Sequence, residues 1–511
     1  MAKKKQRPTP ETLTLTQEFP WSTKTLTPPT TALILLFSLL VRVLVSLGPY
    51  SGQSTPPMYG DYEAQRHWME IALNLPIKDW YRNSTANNLS YWGLDYPPLT
   101  AYQSLFHGFA LNSSAPEAVE LGSSRGFESY RSKLMMRWTV ITSDLMVFFP
   151  SVLWFVWVYC KGKEEESSPW LLAMILLNPC SILIDHGHFQ YNCISLGLTL
   201  GAIAAVLSRN EILAAVLFSL AINHKQMSMY FAPAFFSHLL GKCLRRQNPI
   251  LHIMKLGIVV LATFALVWWP YLYSLDAIKE VLSRLAPFER GIYEDYVANF
   301  WCSTSVILKW KRLFSIHYLK SLSLFATVFA FLPSLIQQIK APSNHGFLYA
   351  LLNSSFAFYL FAYQVHEKSI MLPLLPASLL AKKEPLLFGW SVFYALLSMF
   401  PLISRDQLVL QYLALFALFG LIYYSPGGRC NTKEERLSIR TKALMSLPLS
   451  CSFVLHSIYL VVQPPARYPF LFEALIMSLC FSQFVILTCY TNIKQWRLDS
   501  SDAEMRGKKD T

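Results

Sequence analysis

Apolar stretches of about 20 residues, the length that crosses a hydrocarbon core of about 30 Å as a helix, recur from one end of the chain to the other. About fourteen can be marked, the first at 31–49 and the last at 470–491, with a short, crowded group between 193 and 240. In hydrocarbon every backbone polar group needs a partner within the protein, and a helix supplies one locally. The pattern predicts an all-α polytopic membrane protein. Composition agrees, with 53% of the 511 residues hydrophobic and 15% charged. The first span is too long and starts too far into the chain for a cleavable signal, and no small-residue cleavage pattern follows it.

Lys and Arg in short loops are retained in the cytoplasm. The start MAKKKQR, Lys161 and Lys163, Arg245 and Arg246, Lys340, Lys382 and Lys383, the 429–442 loop and the tail then fall on the cytoplasmic side, which accounts for the net charge of +13. With no basic and aromatic groove, this charge does not point to a nucleic acid. The opposite, lumenal side receives the long first loop (50–132), the DHGHFQYN turn, NHKQ, the 274–317 loop and QVHEK. Glycosylation triplets at Asn83, Asn88 and Asn112 lie in the first loop and agree with that side; the triplet at Asn353 falls inside a span. The expected organisation is a disordered cytoplasmic leader (1–28), a transmembrane domain (29–492) and a cytoplasmic tail (493–511). The tail ends in KKDT, similar to a dilysine retrieval signal at Lys508 and Lys509.

Nine scattered cysteines suggest neither a disulfide framework nor a zinc site. His186 and His188 have no second histidine pair near by, so a hydrogen-bonded lumenal turn is expected rather than a metal. In the first loop, Asp61 precedes YEAQRHWMEIALNL, in which Trp68, Ile71, Ala72 and Leu75 recur at helical spacing. An amphipathic helix at the membrane interface is expected, with Arg66 and Glu70 paired on its polar side. Asp95 stands just before Pro97 and Pro98, at the start of a second helix. Both aspartates fit helix caps, and a carboxylate so fixed is equally suited to act as a base.

Sugar transfer from a phosphate-activated donor to a hydroxyl needs one base to take the hydroxyl proton, and direct displacement then inverts the donor carbon. A second carboxylate would orient the acceptor. The leaving phosphate needs cations, and Lys225, His366, Lys368 and Arg290 lie in loops of one face. Lys225 and Lys368 also fit lysines that snorkel from span ends. In the 274–317 loop, Arg290 and Glu294 stand at i, i+4, and Phe288, Tyr293 and Trp301 add apolar contacts; a flap over the site and a substrate-contacting loop both fit.

GDYEAQRHW, WGLDYPPLTAY, GHFQYN, INHKQM, RGIYEDYVANFWC and QVHEKS, in this order, resemble the endoplasmic reticulum glucosyltransferases that use dolichyl-phosphate glucose; the resemblance runs from about residue 50 to 400. It implies a C-type glycosyltransferase fold with lumenal helices packed on a transmembrane bundle. It implies inverting transfer of the first glucose, in an α-1,3 linkage, to the terminal mannose of a dolichyl-pyrophosphate oligosaccharide in the endoplasmic reticulum membrane, with no metal. Asp61 matches the family's general base and Asp95 its second acidic position; His366, Lys368 and Lys225 would hold the donor phosphate by analogy. The nearest alternative is the sister branch that adds the second glucose. A lipid transporter is the alternative from another class, but Arg42 is the one clear charge well inside a span, and broken repeat helices are not evident.

Overall fold

The computed structural model describes residues 19–22, 25–161, 168–285, 296–425 and 439–507. Lys163, Phe288, Arg290, Tyr293 and Glu294, the 429–438 part of the basic loop, and Lys508 and Lys509 lie outside them, as does most of the 1–28 leader. The last part of that leader is not disordered as expected. Pro20–Ser22 forms a short 3-10 turn in which Trp21 is buried, its ring 5.5 Å from Phe37, because an indole next to an apolar helix has surface to bury.

Helix α1 (Pro28–Ser46) starts where Thr27 accepts a hydrogen bond from the Thr30 N–H and prolines fill the first turn. Outside the spans, α2 (Asp61–Asn74) and α3 (Pro98–Ser114) pack on each other, and α3 leans on α4 (Tyr130–Cys160) and α7 (Glu211–His224). Helix α5 (Ser168–Phe189) restarts part-way, where the Asn178 side chain accepts from the Cys180 N–H and Pro179 opens the new turn. Both α4 and α5 contain a π-turn, at Asp144–Phe148 and Leu183–Phe189. The wider turns carry Asp144, Asp185, His186 and His188, all buried.

The bundle continues with α6 (Asn192–Leu207), α8 (Ala232–Cys243), α9 (Pro249–Trp268) and the short α10 (Leu275–Leu285) and α11 (Phe300–Ser305). It is completed by α12 (Ile316–Lys340), α13 (Asn344–Phe361), α14 (Met371–Leu379), α15 (Pro385–Arg405), α16 (Val409–Tyr423), α17 (Ile439–Val461) and α18 (Leu471–Gly507). Helices α5, α13 and α14 form the buried centre. Helices α9 and α12 turn Leu261, Leu266, Phe325 and Phe329 outward, as a lipid-facing surface allows.

Each expected span coincides with a helix among the described residues, but seven are long and apolar enough to cross a membrane unaided. Nine-residue α14 rises only about 14 Å, and α8 and α14 are each entered through a 3-10 turn. Arg42 is not alone inside its span: its guanidinium pairs with Asp144 and donates to the carbonyls of Ser38 and Leu176 (3.1 and 2.9 Å), the pairing a buried charge requires.

Helix α2 departs from the expected interfacial helix, since Tyr62 through Ala72 are all buried. Its apolar side packs among Trp80, Leu94, Ala101 and Tyr271, while Arg66 on the other side bridges Glu63 (2.6 Å) and Glu70 (2.9 Å) and donates to Ser124 and the Ala118 carbonyl. Burial opposes ionisation of Glu70, yet the hydrogen bond from His67 and the charge of Arg66 bring its pKa down to about 2.

Candidate active site

The chain enters α2 through a turn that only glycine permits. A Cβ on Gly52 (φ +73°) would stand 0.6 Å from the Tyr59 carbonyl oxygen, and Gly60 (φ +114°) lies against Gly52. This folded turn fixes Asp61 as the first residue of α2. Its side chain makes no capping bond, and Gly60 occupies the cap position. Pro97 likewise occupies the cap position of α3. The cap reading of both aspartates is thus overturned: partners distant in sequence have taken the Asp61 carboxylate, and Asp95 stands two residues before the α3 cap position.

Asp61 Oδ2 accepts hydrogen bonds from Lys368 Nζ at 2.5 Å, from the Gln190 amide, and lies 2.9 Å from His188 Nε2. His188 Nδ1 in turn meets Asp406, at the end of α15. Burial works against the charge of Asp61, but the ammonium of Lys368 and the imidazole of His188 hold its carboxyl well below the usual carboxylate range. Burial also disfavours the charge on Lys368, but Asp61 reverses this and moves its pKa upward.

Lys225 follows the last residue of α7 and donates to Asn192 Oδ1 (2.6 Å) and Gln190 Oε1 (3.3 Å), with its Nζ 4.8 Å from the centre of the Tyr96 ring. Burial first, then the charge of Lys368, brings its pKa down to about 8. The turn carrying Asp95 is held from two sides. Gln226 donates to the Asp95 carbonyl (3.0 Å), and Arg284 of α10 donates to those of Gly93 and Leu94 (3.0 and 3.1 Å).

These groups surround a cavity of about 530 Å³. Asp61, Asp95, Lys225, His366 and Lys368 all line it, so the structure gathers five of the expected site residues in one place; Arg290 lies outside the described residues. The polar end grades into an apolar wall of Leu196, Tyr230, Phe358, Met371 and Leu372. One end suits charged and hydroxylated groups and the other suits hydrocarbon. Lys225 and Lys368 point into the cavity rather than away from the span ends. The DHGHFQYN segment, expected as a hydrogen-bonded turn, is the π-turned end of α5, where His186 faces inward to Asp144 (2.9 Å) and His188 faces Asp61. Asn83, Asn88 and Asn112 are exposed on the unit that carries Asp61, whereas Asn353 is buried and donates to Gln495 (2.8 Å).

A sequence profile of the ALG6, ALG8 glycosyltransferase family matches residues 38–490. The chain belongs to this family. It is 61% identical over 479 residues to a protein of Arabidopsis thaliana named probable dolichyl pyrophosphate Man9GlcNAc2 alpha-1,3-glucosyltransferase, covering 91% of this chain and 90% of that one. A Dictyostelium discoideum protein of the same name is 44% identical (91% and 94% covered), and the Gallus gallus dolichyl pyrophosphate Man9GlcNAc2 alpha-1,3-glucosyltransferase is 39% identical (93% and 96%).

In this ALG6, ALG8 family member the sequence reading missed Gln190, Asn192 and Asp406 as parts of the site and left His188 without a task. Gln190 and Asn192 stand in a motif already noticed, two and four residues beyond His188. Asp406 is in no motif. Its only local signal is an acid at the mouth of a span, where an ionised group needs a partner.

Proposed function

We propose that this membrane glycosyltransferase moves the first glucose from dolichyl-phosphate glucose to lipid-linked Man9GlcNAc2, forming an α-1,3 linkage with inversion, with Asp61 as the base. The observation that carries the reading is Asp61 itself: a fixed, ionised carboxylate on the wall of a cavity that also presents Lys225, His366 and Lys368. The acceptor hydroxyl attacks the donor's anomeric carbon, its O–H bond breaks and the proton goes to Asp61. The bond from that carbon to the phosphate oxygen breaks, and its electron pair stays with the phosphate. Lys368 and Lys225 offset the growing phosphate charge, with His366 and Arg290 assigned to the same anion. Asp95 orients the acceptor. The apolar wall suits the first part of the dolichyl chain.

The site faces the lumen of the endoplasmic reticulum in this reading, supported by the glycosylation triplets at Asn83 and Asn88 on the unit that bears Asp61 and by the basic loops elsewhere. Addition of a second glucose is the competing reading within the family, and the relatives' shared Man9GlcNAc2 name favours the first. Purified protein given dolichyl-phosphate glucose and either unglucosylated or monoglucosylated acceptor tests both, with product mass as readout. One hexose added to the unglucosylated acceptor is expected; addition to the monoglucosylated acceptor alone reverses the assignment.

A further inference from the structure

Phe189 holds a φ of +90°, a left-handed backbone conformation that a bulky side chain rarely adopts. Its ring is fully buried, 4.9 Å from that of Tyr62 and 5.7 Å from that of Tyr191, and this packing holds the bend in place. On either side of the bend, His188 and Gln190 reach the same atom, Asp61 Oδ2. Asp61 and Asp406 only accept, so both ring nitrogens of His188 carry hydrogen and Nε2 donates to Asp61. With Lys368 Nζ, three donors converge on Oδ2, and among the described residues none reaches Oδ1.

The amide of Gln190 fits only one way round. A carboxylate accepts, so Nε2 faces Asp61; an ammonium donates, so Oε1 faces Lys225 Nζ at 3.3 Å. Asn192 is fixed by the same logic: its Nδ2 donates to Asp185 Oδ1 at 2.8 Å, and its Oδ1 accepts from Lys225 at 2.6 Å. Among the described residues Gln190 alone hydrogen-bonds both Asp61 and Lys225.

We propose that Gln190 is a positioning residue for the transfer: its amide fixes the plane of the Asp61 carboxylate so that Oδ1 takes the acceptor proton, and it holds Lys225 in the same frame. This rests on Asp61 being the base. The acceptor O–H bond breaks, its proton passing to Oδ1, as the O–C1 bond forms; the C1–O bond to phosphate breaks and its electron pair stays on the phosphate. Oδ2 is closed to that proton by the three N–H groups already on it. In-line displacement puts the acceptor oxygen and the leaving oxygen on opposite sides of C1, so the base serving one and the cation serving the other must keep a fixed separation. One amide bonded to both supplies it.

The charged groups that act on Lys225 are Asp61 from α2, Asp95 from the turn before α3, Asp185 from α5 and Lys368 from the 367–370 turn, and His224 precedes it at the end of α7. None of them changes when Gln190 is replaced, so a shift in the titration of Lys225 reports on the amide itself.

The test is kcat and both KM values against pH for purified full-length protein with dolichyl-phosphate glucose and lipid-linked Man9GlcNAc2, comparing wild type, Gln190→Met, Gln190→Glu and Asp61→Asn. Gln190→Met fills the same space with neither donor nor acceptor. It is expected to lower kcat on the order of 10- to 100-fold, with the acceptor KM within about twofold. Lys225 loses an acceptor and its ammonium is less favoured, so the rise in donor KM on the alkaline side of about pH 8 moves to lower pH. Gln190→Glu keeps the shape but sets a carboxyl against Asp61, tolerated only while the two share a proton. Its kcat should therefore fall relative to wild type as pH rises, and its added negative charge should move the donor step to higher pH. Wild-type kcat in Gln190→Met would overturn the proposal. So would a donor step that stays at its wild-type pH in both variants, which marks a space-filling role even if kcat falls. Should Gln190→Met lose its unfolding transition in detergent, Gln190→Glu decides alone, and a kcat profile parallel to wild type overturns the proposal. If Asp61→Asn is inactive while Gln190→Met is normal, the positioning role alone fails; if Asp61→Asn turns over, the base assignment fails and takes the positioning role with it.

Discussion

Lys368 Nζ stands 2.5 Å from Asp61 Oδ2 across 307 residues of sequence. The pair gives the proposed base its low pKa and ties it to the group assigned to the donor phosphate. Lys368→Met should raise the donor KM tenfold or more, about 1.4 kcal/mol of lost binding. It should also raise the pKa of Asp61. A base works only above its pKa, so the acid limb of kcat/KM moves to higher pH, which a pH series of initial rates will read.

Asp61→Asn keeps the shape of the side chain and removes its basicity. Transfer should fall on the order of 10²- to 10⁴-fold, with dolichyl-phosphate glucose binding, measured by titration of the purified protein, little changed. Asp95→Asn should act mainly on the acceptor KM. Near-normal turnover in Asp61→Asn would return that residue to a purely structural part.

Lys225 has a pKa lowered to about 8, so its charge is lost as pH rises through that value. Donor affinity should weaken on the alkaline side of about pH 8. Lys225→Met should show weak donor binding at every pH and no such step, as donor KM measured between about pH 6.5 and 9.5 will show.

Arg66 joins Glu63 and Glu70 out of reach of solvent. Arg66→Met leaves two buried carboxylates without their cation, expected to cost about 3–5 kcal/mol. Thermal unfolding in detergent should reveal the loss in the purified protein. An unchanged midpoint would mean that Ser124, His67 and the Gly122 N–H satisfy Glu70 on their own.

Asn83→Gln and Asn88→Gln test the facing of the site. Each exposed triplet that is glycosylated adds a glycosidase-sensitive mass, seen as a gel shift, and its loss places the Asp61 unit in the lumen. Absence of any such mass on the wild-type chain would remove this support for the assigned side.

The bundle and the two aspartate motifs were legible because they are local. Apolar length marks a helix, and Asp61 follows Gly60 while Asp95 comes two residues before Pro97, residues that punctuate helix starts. The same local reading also offered both carboxylates as caps, and that half of it did not hold. A cap is the nearest service an aspartate at a helix start can perform, but His188, Gln190 and Lys368 compete for Asp61 from more than a hundred residues away. The Arg66 and Glu70 pair was legible as spacing, yet spacing does not tell that the pair is buried under the 118–126 segment. Asp406 meets His188 across 218 residues, and no periodicity or motif encodes that meeting.

The separation of Asp61 from Lys368 also sets a clock. At a synthesis rate of about 5–20 residues per second, the 307 residues between them take about 15–60 s to emerge, so the carboxylate waits that long for its ammonium. His188 and Gln190 reach it sooner. The cavity around Asp61 consequently stays incomplete until the 367–370 turn arrives, and a ribosome that stalls before residue 368 leaves a membrane-bound chain whose proposed base has Lys225 in its cavity but lacks the ammonium it pairs with.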